Sequence, residues 1–134
     1  MDEILIDAKT ENLDAVLAFL EEKLETVDCP MKLRRQISIV VEEIFVNVAH
    51  YAYNPGVGPV TLRLMVWEKD IAIEFEDGGK PYNPLEKEDP DIHASLEERR
   101  IGGLGIYMVK NMVDAVEYRR VGNRNILTVR KKLG

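Results

Sequence analysis

Glu43 and Asn47 stand four residues apart, and His50 and Tyr51 follow three and four positions later. On a helix this spacing projects Glu43, Asn47 and His50 in one polar row. Ile37, Val40, Val41, Ile44 and Val48 form an apolar stripe beside it. A ligand bordering such a stripe meets dry protein on one side and water on the other. A carboxylate there can take a proton from a hydroxyl or from water. A neutral amide oxygen suits a Mg²⁺ ion already loaded with phosphate oxygens. The same row also reads as the polar edge of an ordinary amphipathic helix.

Two further stretches invite the same double reading. Asp77-Gly78-Gly79-Lys80-Pro81-Tyr82 follows an alternating run. A carboxylate at a strand end can accept a hydrogen bond from an exocyclic amine such as that of adenine, and glycine lets a flat ring approach the backbone. Asp-Gly is equally an ordinary turn. Gly102-Gly103-Leu104-Gly105 leads into an apolar periodic segment. Glycine-rich backbone at a helix start presents unpaired N–H groups to an anion, or serves as a hinge. No Gly-Lys-Ser/Thr follows it, so it is not a Walker A loop.

The elements that must hold these stretches are legible from periodicity. Residues 3–8 alternate and predict a strand. Thr10 or Asn12 is placed to cap a helix whose stripe is Leu13, Val16, Leu17, Leu20 and Leu24. Cys29-Pro30 breaks the chain before a long helix over 31–52, with Leu33 at the start of its core face. Val60–Trp67 and Ile71–Glu76 predict a hairpin. Residues 77–84 form a loop, and the charged segment 85–101 carries one short helix near Ala94–Arg99. A third helix begins within Gly102–Gly105, with Ile106, Val109, Met112 and Val113 inward, before strands over 115–121 and 125–133. Hairpins separated by helices give an α+β two-layer sandwich: a mixed, mainly antiparallel sheet covered on one face by three helices.

Composition narrows the function classes. The chain of 134 residues suits a single domain over 1–134. A net charge of −6 argues against direct nucleic-acid binding. One cysteine, Cys29, excludes an intrachain disulfide and fits a reducing cytoplasm, and two histidines make a His/Cys zinc site improbable. The polar start MDEILIDAKTENL is unlike a signal peptide, and no apolar run reaches the roughly 18 residues of a membrane span.

Taken in order, the three stretches resemble the N, G1 and G2 boxes of the GHKL ATPases, the superfamily of the gyrase, chaperone and histidine-kinase ATPase domains. Glu43…Asn47 matches the N box, Asp77-Gly78-Gly79-Lys80-Pro81 the G1 box and Gly102-Gly103-Leu104-Gly105 the G2 box. The resemblance runs from about residue 10 to the C-terminus. Glu42–Asn47, Asp77–Pro84 and Ile101–Val109 look most like the anti-sigma-factor serine/threonine kinases.

That resemblance implies the GHKL (Bergerat) fold, ATP and Mg²⁺ as cofactors, and phosphoryl transfer to a serine of an antagonist protein. By carry-over Asn47 ligates Mg²⁺, and Glu43 is the general base. Asp77 binds the adenine amine, Gly79 gives the ring room, and Pro81 completes the box. Gly103, Leu104 and Gly105 approach the phosphates, and His50 touches phosphate. Tyr51 lines the pocket, and Thr128 sets a hydroxyl near adenine. Residues 83–102 become a mobile ATP lid, in which Arg99 and Arg100 meet either the γ-phosphate or Glu97 and Glu98. The implied partners are a sigma factor and its antagonist, with a homodimer as a further expectation. The alternative is an ATP-gated binding module without phosphoryl transfer. A sensor-kinase fragment fits less well, because the segment before residue 30 is short for a dimerisation hairpin and holds no histidine. A structural domain with degenerate boxes is disfavoured by the presence of all the key side chains.

Overall fold

Alternation and helical periodicity are realised in the order β1 (Asp2–Asp7), α1 (Leu13–Leu24), α2 (Met31–Tyr51), β2 (Pro59–Val66), β3 (Asp70–Asp77), α3 (Gly103–Met112), β4 (Ala115–Val121) and β5 (Arg124–Lys132). These elements are seen in a computed structural model that describes residues 2–86 and 103–133. Single 3-10 turns, Thr10–Asn12 and Pro84–Glu86, precede α1 and follow the loop after β3. The strands form one sheet of order β1-β2-β3-β5-β4. Every pairing is antiparallel. The α+β sandwich expected from the sequence is therefore present. Most of the proposed lid, the short helix near Ala94–Arg99, and Arg99 and Arg100 themselves lie outside the described residues.

The three helices cover one face of the sheet. Val16, Leu20 and Leu24 of α1 and Ile37, Val40, Val41, Ile44 and Phe45 of α2 are buried against Leu62, Leu64, Ile71, Ile73, Phe75, Leu127 and Val129. Strand alternation puts these sheet residues on one face. Phe45 widens the α2 stripe beyond its expected positions and is fully buried. The expected caps of α1 do not form: the Asn12 side chain donates to the carbonyl of Asp7 (2.9 Å), and the Thr10 hydroxyl donates to Glu11 (2.9 Å). No helix among the described residues is long and apolar enough to cross a membrane.

The opposite face is held by charge. Arg63 of β2 donates to Glu3 of β1 (2.8 Å) and to Glu74 and Glu76 of β3 (2.8 and 2.7 Å). Arg124 reaches Glu76 at 2.9 Å. The Arg63 and Arg124 hydrogen bonds hold the Glu76 carboxyl below the usual carboxylate range.

Candidate functional site

The site lies where the C-terminal half of α2 crosses the end of β3. Asp77 is the last residue of β3, and the alternation that buries Ile73 and Phe75 carries it to the helix-covered face. Asn47, on the core-facing side of α2, meets it there. Both line one small pocket whose walls include Ile44, Phe75, Tyr82, Tyr118, Asn125 and Leu127. The cavity is mainly apolar, with a few polar groups at fixed positions, as ligand sites commonly are.

Asn47 is 7% exposed, and among the described residues its side chain receives and donates no hydrogen bond. Buried amides normally find partners. Here the amide stands at the pocket wall with no described protein partner, and an amide oxygen is a ligand type that suits Mg²⁺. Among the described residues no group of three His, Cys, Asp or Glu side chains is arranged to hold a metal.

Asp77 is 5% exposed. Its Oδ1 accepts from the Gly79 N–H and from Asn125 Nδ2, both at 2.9 Å. No described residue donates to Oδ2, which stays available at the cavity wall. The loop after Asp77 is tied down on three sides. Gly78 N–H donates to the Tyr53 hydroxyl (2.8 Å), which itself donates to the Pro59 carbonyl (2.5 Å). Lys80 N–H donates to the carbonyl of Ala52 just past α2 (3.0 Å), using one of the acceptors a helix end leaves over. Arg120 of β4 donates to the Gly79 carbonyl at 2.9 Å.

Glu43 sits one turn before Asn47 and faces the start of α3. A methyl group on Gly105 would overlap its Oε2 and stand 3.2 Å from its carboxyl carbon. Glycine at 105 is thus what lets the carboxylate lie against the first turn of α3. Burial raises the Glu43 pKa, with a further contribution from the neighbouring Glu42 charge. A carboxylate shifted in that direction is a stronger base.

The structure gathers some expected residues and not others. Asn47 and Asp77 share the cavity, and the turn carrying Gly103 and Gly105 packs on α2 beside them through Glu43. The side chain of Leu104 lies outside the described residues. Tyr51 stands behind the wall, stacked on Tyr82 with ring centroids 5.2 Å apart. His50 is exposed, edge-on to Tyr51, and does not line the cavity. Pro81 is likewise exposed. Gly79 provides room for protein rather than for a ring: a methyl there would lie 2.6 Å from the carbonyl carbon of Ala52.

Thr128 is misplaced in the sequence reading. It pairs with Glu74 and Glu117, while Asn125 pairs with Asp77 and Leu127 with Phe75. Alternation therefore turns Thr128 to the ion-paired face, away from the cavity. The residue that reading missed is Asn125. It is 5% exposed, and all its amide atoms are engaged. Nδ2 donates to Asp77 and to the Lys80 carbonyl (2.8 Å). Oδ1 accepts from the Tyr118 hydroxyl (2.5 Å), Arg120 (3.0 Å) and Tyr82 N–H (3.3 Å). A signal existed: Asn125 shares the period-two phase of Leu127 and Val129, so it had to be a buried polar group in need of partners.

Comparison with known proteins gives a consistent picture. A family model described as the histidine kinase-like ATPase domain matches residues 6–131. The serine/threonine-protein kinase BtrW of Bordetella bronchiseptica is 25% identical over 99 residues, covering 73% of this chain and 70% of that protein. An anti-sigma F factor of Caldanaerobacter subterraneus is 29% identical over 100 residues, covering 73% and 69% respectively. The serine-protein kinase RsbW of Bacillus mycoides is 27% identical over 85 residues, and the match spans 53% of its length. Among solved structures, the RsbU and RsbW domains of a Mycobacterium tuberculosis protein superpose with a TM-score of 0.67 at 15% identity, covering 99% of this chain and 33% of that one. A histidine kinase domain from Erythrobacter litoralis gives 0.57 at 20% identity, over 90% of this chain and 61% of that one. At these identities the structural matches speak to the fold.

Proposed function

We propose, on the premise that this chain belongs to the histidine kinase-like ATPase family, that it is a Mg·ATP-dependent protein serine kinase that acts as an anti-sigma factor in the cytoplasm. Its substrate is a serine on an antagonist protein, and its other partner is a sigma factor. The observation that carries this reading is the convergence of Asn47 and Asp77 on one cavity, with Glu43 and the glycine-rich start of α3 in contact one helical turn away. The curated relatives named as serine kinases and as an anti-sigma factor support it.

In this scheme Asp77 Oδ2 accepts from the adenine 6-amine, and Asn47 offers its amide oxygen to Mg²⁺. The first-turn N–H groups of α3 favour the phosphates through the helix dipole. ATP supplies the phosphoryl group and Mg²⁺ offsets its charge, so the protein's task is chiefly positioning and electrostatic stabilisation. Glu43 takes the proton of the attacking serine as the serine oxygen bonds to the γ-phosphorus and ADP leaves. Phosphorylation releases the antagonist and so frees this chain to hold the sigma factor.

The test is Glu43→Gln, assayed with γ-labelled ATP and cell extract for transfer and by calorimetry for ATP binding. Loss of labelling with ATP affinity retained is the expected result. Normal labelling by the variant would refute the base assignment. An ATP-binding wild type that labels no protein would instead favour a nucleotide-gated binding module.

A further inference from the structure

We propose that Asn125 sets the base preference of the nucleotide cavity by restricting Asp77 to a single open acceptor. This rests on the nucleotide reading above and extends it to a residue that touches the reader rather than the ligand. An ionised carboxylate has two oxygens and can grip two donors side by side. Guanine presents such a pair, its N1–H and its 2-amine. Adenine presents one donor on the matching edge, its 6-amine. A buried aspartate with both oxygens open would therefore accommodate either purine and grip guanine at two points.

Asp77 does not have both oxygens open. The Asn125 and Gly79 donors both fall on Oδ1. Asn125 cannot swing aside, because its five partners engage both ends of its amide and come from β3, β4 and the loop after β3. Its orientation is also fixed: a flipped amide would present oxygen to the Asp77 carboxylate and to the Lys80 carbonyl, and nitrogen to three donors. The cavity therefore reads a base edge through Oδ2 alone. Asn125 is a positioning and specificity residue, saturated by protein and left with no atom for the ligand.

The experiment measures Mg²⁺-dependent binding of ADP, GDP and inosine diphosphate by calorimetry. Inosine diphosphate carries the N1–H of GDP without the 2-amine, so the comparison of those two counts acceptors. Wild type is expected to bind ADP tightest and to bind GDP no more tightly than inosine diphosphate. Asn125→Ala, which uncovers Oδ1, is expected to let GDP gain roughly tenfold on inosine diphosphate, the worth of one charge-assisted hydrogen bond. Arg124→Met, which removes an ion pair on the bare face and no partner of Asn125 or Asp77, should keep the wild-type order. A wild type that prefers GDP over inosine diphosphate by tenfold overturns the proposal, as does a folded Asn125→Ala with wild-type ratios. Should that variant fail to fold, the wild-type comparison decides alone. Failure of wild type to bind any of the three nucleotides overturns the nucleotide reading itself, and this inference with it.

Discussion

Replacing Gly79 by alanine should damage this protein far more than its place in a loop suggests. Among the described residues only Gly122 has a positive φ, so alanine meets no backbone penalty at 79. The obstacle is space. The new methyl would overlap the Ala52 carbonyl oxygen and stand 2.6 Å from the carbonyl carbon and 2.8 Å from its Cβ. These are atoms just past the end of α2, and no rotamer change removes them. Overpacking of this kind costs about 1–3 kcal/mol. Separating the two segments also weakens the 3.0 Å bond from Lys80 N–H to the Ala52 carbonyl, worth about 0.5–1.5 kcal/mol. The lost chain entropy of glycine returns roughly 0.4–1 kcal/mol. The net is about 0.5–4 kcal/mol of destabilisation. With roughly 2.1 cal/mol/K of unfolding entropy per residue, a chain of 134 residues loses about 3.6 °C of Tm per kcal/mol, hence about 2–15 °C. Gly78→Ala is the control, because its methyl meets Arg124 Nη1 at 2.8 Å, the far end of a chain that can move. Thermal unfolding without nucleotide separates the two. A Gly79→Ala melting point equal to wild type, or no lower than that of Gly78→Ala, would refute the steric argument.

Two other outcomes follow from Glu43. Gly105→Ala should push its carboxylate off the first turn of α3 and cut phosphoryl transfer by roughly 10²-fold, the usual cost of a small misplacement, with ADP affinity largely kept. Unchanged turnover would separate Glu43 from the chemistry. The pH dependence has a definite sign. Burial raises the Glu43 pKa, so the native state holds that proton more tightly than the unfolded chain does. Its contribution is fully present below the unfolded pKa and is lost as pH rises through the folded pKa. Glu43→Gln does not titrate there and should gain in relative stability between about pH 4 and pH 7. Urea midpoints at the two pH values check this, and a variant that loses stability relative to wild type as pH rises contradicts it.

Much of the architecture could be read from local pattern. The 3.6-residue stripes of α1 and α2 and the alternation of β2, β3 and β5 set which faces are buried, and burial sets how the layers stack. Asn47 and Asp77 were legible because each sits at the boundary of such a pattern. What escaped depends on pairing across distance. Asn125 matters because β5 lies beside β3 and brings it opposite a residue 48 positions earlier. Thr128 was set near adenine by the family resemblance, yet one step of alternation sends it to the other face. The role of Gly79 was hidden for the same reason: nothing near it in sequence reveals that the Ala52 carbonyl arrives there. The caps of α1 failed because Asn12 turns back to β1 instead.

The charge cluster on the bare face of the sheet has a bearing on the pocket behind it. Glu74 and Glu76 alternate along β3 with Phe75 and Asp77, and Arg63 grips only the outward pair. Were β3 to slip by one residue, these carboxylates would be driven into the hydrocarbon interior while Phe75 and Asp77 swung outward. A guanidinium touching no part of the cavity therefore acts as a keel, keeping the strand's other side turned toward it.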